Sequence, residues 1–296
     1  MRKFFAACIV TLVALWMPAT VVASGGIPGL TMPLAGLPTA CAPASSFLAR
    51  TSSLDSAHRA NYVALICGLV SDGVWSKLDV LYVFATSSST NALLNLASAS
   101  YGGTAHGSPT FTTDRGFTGV DASSTVYIDT AFNPATAGGQ YAQNAAHLSA
   151  WSNTNTGSSS GGCAVIGSDA GSGNGASQIC LRHPTGTYFR VNDVNSGGGG
   201  QASIGTSNGF YVADRTSSST AVGYLNASNQ SIGAQTSTTL TSRNIYVLAT
   251  DSAGSAGSGG GFQITEASMG GGLTSTDVTN LYNRLRTYMT AVGCTC

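Results

Sequence analysis

The spacing of apolar residues along this chain changes several times, and each change marks an element. From Phe4 to Trp16 the residues form one uncharged apolar run. Between Ala57 and Val70 they recur at helical spacing, with Tyr62, Leu65, Ile66 and Leu69 on one stripe. Ser53 is placed to cap that helix, and Asp72-Gly73 stops it. Val74 to Leu78 has room for one more turn. Val80 to Phe84 is then apolar without interruption, as a strand buried on both faces is. From about Pro109 the pattern becomes short β-prone runs split by turns, with Phe117, Val126, Ile128 and Phe132 in strand-like settings. Further strands are predicted at 145–151, 163–167, 177–182, 187–193, 209–215, 220–226, 229–234 and 243–250. Strands recurring every roughly 8–12 residues indicate a sandwich or barrel. The helical period returns at the end in Val278, Leu281, Leu285, Tyr288 and Met289. Thr274 or Ser275 can cap this last helix, Asp277 suits its positive end, and Gly293 stops it. The predicted fold is mainly β. It is an antiparallel β-sandwich with an N-terminal and a C-terminal flanking helix, packed together on one edge or on the convex face.

The first run has its own meaning. Arg2 and Lys3 precede it, Pro18 breaks it, and Val21-Val22-Ala23 offers a small-residue cleavage site before Ser24. Residues 1–23 therefore read as a secretory signal peptide, too short in its apolar part to prefer a membrane span. Residues 24–52 contain Pro28, Pro33, Pro38 and Pro43 and read as an extended lead-in to a domain over 53–296. The expected location is secreted or periplasmic, with no membrane span once the signal is removed. Cys8 leaves with the signal. Cys41, Cys67, Cys163, Cys180, Cys294 and Cys296 remain, an even set that predicts three disulfides in an oxidising compartment. Cys163 and Cys180 flank a Gly/Ser/Asn segment and should close a hairpin. Cys294 and Cys296 stand too close to bond each other without strain. Cys41 and Cys67 are thus each expected to reach one of them, tying the start of the domain to its end.

Composition narrows the partners. Charged residues make up 8% of the chain, against about 25% in an ordinary soluble protein. Lys77 is the only lysine after the signal, and Glu266 the only glutamate. Basic and acidic residues balance at 12 each, and no basic stripe exists, so nucleic acid is not an expected partner.

Several segments resemble a known family. Gly116-Phe117-Thr118-Gly119, Tyr127-Ile128-Asp129-Thr130 and Phe132-Asn133-Pro134 look like an early strand pair of concanavalin A-like (laminin-G-like) jelly rolls. Asn208-Gly209-Phe210 to Arg215, with Gly223-Tyr224-Leu225-Asn226, resembles their paired strands around an Asn-Gly turn; here Ala227 replaces the glycine. Phe262-Gln263-Ile264, Gly272-Leu273-Thr274 and the helix to Tyr288 resemble their closing strand and terminal helix. Tyr62 to Phe84 with Ala92-Leu93-Leu94-Asn95-Leu96 is similar to leaders in phage-encoded and exported bacterial proteins of this type. The resemblance implies a jelly-roll module over residues 55–293 of the kind that binds glycans or proteins. A jelly roll hosts lectins and hydrolases alike.

The chemistry-bearing residues favour binding. Glycoside hydrolysis needs two facing carboxylates, yet Glu266 stands alone, and Asp114 and Asp121 lie in turn-like settings, which leaves Asp129 as its best companion. Gly157-Ser158-Ser159-Ser160-Gly161 matches a nucleophile elbow in letters but sits in a low-complexity loop. His58, His106, His147 and His183 show no ligand spacing, and His147, in a predicted strand beside Trp151, is the most plausible functional one. No metal site is predicted. Calcium would be the ion for Asp169 to Asn174, which is oxygen-rich but carries one acid. Tyr141, Gln143, Asn144 and Trp151 cluster about one predicted strand and its loop and offer the aromatic faces and planar amides that sugars require. The expected function is a non-catalytic exported recognition module for a glycan or another cell-surface polymer. The alternatives are a structural component of a phage-derived or extracellular assembly and a polysaccharide-degrading enzyme.

Overall fold

Alternation along the strands becomes two antiparallel sheets, seen in a computed structural model that describes residues 40–157, 161–171, 175–194 and 200–294. Residues 1–39, which hold the expected signal peptide and much of the expected lead-in, lie outside them. The first sheet runs in the order Ser228–Gln230, Ala221–Leu225, Gly209–Arg215, Ala146–Ser152, Gln263–Gly270, Gly116–Thr118, Thr110–Thr112, and Leu78–Val83 also pairs with Gln263–Gly270. The second runs Gln201–Ala202, Gly186–Asp193, Ala176–His183, Ala164–Asp169, Tyr246–Val247, Tyr127–Asp129, Thr104–His106. The hairpin of Thr250–Ser252 and Ser255–Gly257 joins it through a parallel contact with Ala164–Asp169.

Two cores explain why whole strands are apolar. Leu148, Met269 and Tyr211 of the first sheet meet Ile166, Ile179 and Phe189 of the second in the space between the sheets. The alternate residues Trp151, Phe210 and Val212 point the other way, onto Tyr62, Ile66, Leu281, Leu285 and Met289 of the helices. The molecule is therefore three layers: sheet, sheet, helices. Val80 and Tyr82 face the first core while Leu81 and Val83 face the second, which is why 80–84 carries no polar alternation.

The helix Ser56–Ser71 is capped by Asp55, which accepts from the His58 N–H. Ser53 does not cap it and instead takes a left-handed φ of 51°. Ser275–Ala291 begins with a complete capping box of Thr274 and Asp277. Arg284 grips Asp72 at 2.7 and 3.0 Å and ties the two helices. The lead-in is not wholly extended: Ala42–Leu48 is helical, with Pro43 in the first turn where its missing N–H costs nothing. No helix of the described residues is long and apolar enough to cross a membrane.

Cys163 and Cys180 are joined, as their flanking turn predicts. The expected link from the start of the domain to its tail is overturned, because Cys41 bonds Cys67. The helix 42–48 folds back on 56–71, which brings the two cysteines to a Cα separation of 5.7 Å. Spacing could not show this, since the short first helix was invisible in it. Cys294 is buried at the end of the last helix, and Cys296 lies outside the described residues.

Candidate functional site

The helical layer seals the outer face of the first sheet, and the polar residues there lose contact with solvent. His147 Nδ1 lies 2.6 Å from the Gly271 carbonyl and Nε2 3.2 Å from Ser268 Oγ. Ser149 Oγ donates to Glu266 Oε1 at 2.8 Å, while Glu266 Oε2 has no partner. Burial pushes the Glu266 carboxyl up to about 8 and the His147 imidazole down to about 4. Both are uncharged near neutrality and both are fully buried, so neither reaches a substrate. Asp129 stands on the outer face of the other sheet, holding the Ala131 N–H at 2.8 Å and Asn244 Nδ2 at 3.0 Å. Both sheets separate it from Glu266.

The four residues proposed from sequence for binding do not come together. Tyr141 is buried in the core between the sheets, its hydroxyl 2.8 Å from Ser177 Oγ and 3.1 Å from Asn192 Oδ1. Trp151 is 2% exposed on the helix side, stacked on Tyr282 at 5.5 Å. A ring held this way presents no face to a sugar. Gln143 and Asn144 are exposed and brace one loop: Gln143 Nε2 donates to the Thr238 carbonyl at 2.7 Å, and Asn144 Oδ1 accepts from Ser237 Oγ at 2.5 Å. The strand that carries Trp151 is central in its sheet, so its aromatics are core.

The outer face of the second sheet carries a different set. Gln178 pairs in register with Arg190, and Cys180 with Tyr188. All four therefore point outward while Ile179, Phe189 and Val191 fill the core. With Asp169, His183 and the hydroxyls of Thr250, Ser252 and Ser258 they line a groove of about 200 Å³. The Cys163–Cys180 disulfide forms part of its lining. Gln178 Nε2 donates to Thr250 Oγ1 at 2.7 Å and fixes the hairpin wall to the sheet. Arg190 lies with its guanidinium 4.3 Å from the Tyr188 ring centroid and one nitrogen 3.5 Å from Gln178 Oε1. Desolvation lowers the Arg190 pKa. Thr185 Oγ1 holds the Tyr188 hydroxyl at 2.7 Å and His183 Nδ1 at 2.9 Å. On the same sheet Tyr127 stacks between His106 at 4.6 Å and Tyr246 at 4.4 Å. The sequence held one signal for this groove, the alternation Gln178-Ile-Cys-Leu against Tyr188-Phe-Arg-Val.

Asp169 accepts from the Gly171 N–H at 2.9 Å, and positions 172–174 of the calcium candidate lie outside the described residues. Among the described residues no group of three His, Cys, Asp or Glu side chains is arranged to hold a metal ion. The serines at 158–160 also lie outside them.

Strand order, pairing and layers define the class: an antiparallel, jelly-roll-like β-sandwich with helices covering one sheet. No family model and no curated protein sequence matches the chain. Solved structures do. Domain 4 of AbnA, a GH43 extracellular arabinanase from Geobacillus stearothermophilus in complex with arabinotriose, aligns at 14% identity and a TM-score of 0.43, over 69% of this chain and 98% of that domain. Trypanosoma rangeli sialidase in complex with the inhibitor DANA aligns at 10% identity and 0.48, over 74% of this chain and 38% of its own. The botulinum neurotoxin serotype D binding domain aligns at 12% and 0.42, over 71% and 52%. No site residue is carried over from any of them.

Proposed function

We propose that this protein is an exported, non-catalytic recognition module that takes a glycan or another cell-surface polymer in the groove of the second sheet. One observation carries the reading. Of the two outer sheet faces, the helices seal one, and the other presents a groove built of a planar amide, a guanidinium, a carboxylate, hydroxyls and a tyrosine ring. Those groups match the vicinal hydroxyls and flat apolar faces of sugars. The groove is smaller than the roughly 300–1,000 Å³ of ordinary small-molecule pockets, so it grips a short part of a longer ligand. The disulfides Cys41–Cys67 and Cys163–Cys180 suit an oxidising, extracytoplasmic location.

The test is retention of the mature protein on a broad panel of immobilised polysaccharides. Gln178→Ala should weaken binding about tenfold, ~1.4 kcal/mol, through one lost planar contact. Gln143→Ala, at a residue that does not line the groove, should leave it unchanged. Absence of retention on every polymer of the panel would overturn the reading.

A further inference from the structure

The charges around the groove select among glycans. Arg190 is the one Arg or Lys among its described lining residues. Asp169 lines the same groove and is nearly buried, at 6% exposure. The groove therefore already holds one carboxylate for its one guanidinium before any ligand arrives. The central carbon of that guanidinium lies over the Tyr188 ring, and one of its nitrogens is 3.5 Å from Gln178 Oε1. A ligand carboxylate or sulfate would enter the groove that Asp169 lines, a poorly solvated setting where like charges repel far more strongly than in water. The opposite wall supplies the hydroxyls of Thr250, Ser252 and Ser258, which exchange hydrogen bonds with sugar hydroxyls at no charge cost.

We infer that the groove takes an uncharged, hydroxyl-rich sugar unit and rejects uronate, sialate and sulfated units. This rests on the groove being the glycan site. The specificity comes from Asp169, which shares the groove with Arg190. Removing its charge should leave the guanidinium to the bidentate pairing with anions that it otherwise favours.

The experiment compares retention of the intact, disulfide-bonded protein on neutral polymers (β-glucan, galactan, xylan) with retention on anionic ones (polygalacturonate, alginate, heparin). Each is measured at about 0.01 M and about 0.15 M ionic strength, across which the screening length falls from ~30 Å to ~8 Å. The expected result is retention on a neutral polymer that changes less than about twofold with salt, and none on the anionic set. Asp169→Asn should gain salt-sensitive retention on polygalacturonate, the carboxamide keeping the acceptor for Gly171. Wild-type retention on anionic polymers that disappears with salt overturns this inference and leaves the proposed glycan site standing. An Asp169→Asn variant that still rejects polygalacturonate likewise overturns it. No retention on either set overturns both.

Discussion

At the scale of single residues, conformation and burial set costs that can be measured. The turn joining Ala221–Leu225 to Ser228–Gln230 places Asn226 at φ 48° and Ala227 at φ 63°. Asn tolerates that region, and Ala does not. Ala227→Gly should stabilise the protein by about 0.5–1 kcal/mol, read as a higher urea midpoint with an unchanged slope. Glu266 makes stability depend on pH. Its folded pKa of about 8 lies above the ordinary 4.5. Its contribution is thus fully present below the unfolded value and is lost as pH rises through the folded one. Asp214, raised to about 7 by burial, acts in the same direction. His147, lowered to about 4, acts oppositely: its contribution holds above 6.5 and fades as pH falls through about 4. Urea unfolding should show a loss on the order of 3 kcal/mol between about pH 5.5 and about pH 8.5. Glu266→Gln should reduce that loss, leaving the share due to Asp214. An unchanged slope would show that Glu266 ionises freely in the folded protein.

At the scale of elements, the helical layer is held on the sandwich by packing and by charged bridges. Leu281 and Leu285 are fully buried against the first sheet. Replacing either by Ala should cost about 2–5 kcal/mol in denaturant unfolding. One bridge is His58, with Nδ1 2.6 Å from Asp55 and Nε2 2.8 Å from Asp114 of the edge hairpin. A neutral imidazole has one N–H and cannot donate to both carboxylates. The two carboxylates outweigh desolvation and raise the His58 pKa above 6.5. The bridge therefore holds below that value and is lost as pH rises through the folded pKa. Amide exchange over residues 56–60, corrected for intrinsic rates, should accelerate on alkalinisation, and Asp114→Asn should move that acceleration to lower pH.

At the scale of the whole molecule, the two disulfides found among the described residues staple different layers. Cys41–Cys67 closes the helical layer across 26 residues and Cys163–Cys180 closes the second sheet across 17. Loops of those lengths correspond to about 3.5 and about 3 kcal/mol in the chain-entropy model. Because the staples share no layer, Cys41→Ser/Cys67→Ser and Cys163→Ser/Cys180→Ser should each lower Tm by roughly 6–12 °C and add within about 0.5 kcal/mol. Scanning calorimetry of the two double variants and the quadruple variant checks this. The Cys163–Cys180 pair also lines the groove, so its loss should weaken ligand retention, and loss of the other pair should not.

Local pattern determined much of this protein. Periodicity located the two long helices and most strands, because period 3.6 and period 2 are written in neighbouring residues. The Cys163–Cys180 hairpin was legible for the same reason. Which face of each strand is covered was not. Trp151 and Tyr141 look like ligand rings in a linear reading, and burial makes them core on opposite sides of one sheet. Gln178, Tyr188 and Arg190 looked like ordinary polar alternation, and strand register gathers them beside a hairpin that arrives some seventy residues later. The pairing of Cys41 depended on a short helix whose stability comes from packing, not propensity. Sequence carries the period of each element. Only the folded chain decides which faces meet each other and which one meets water.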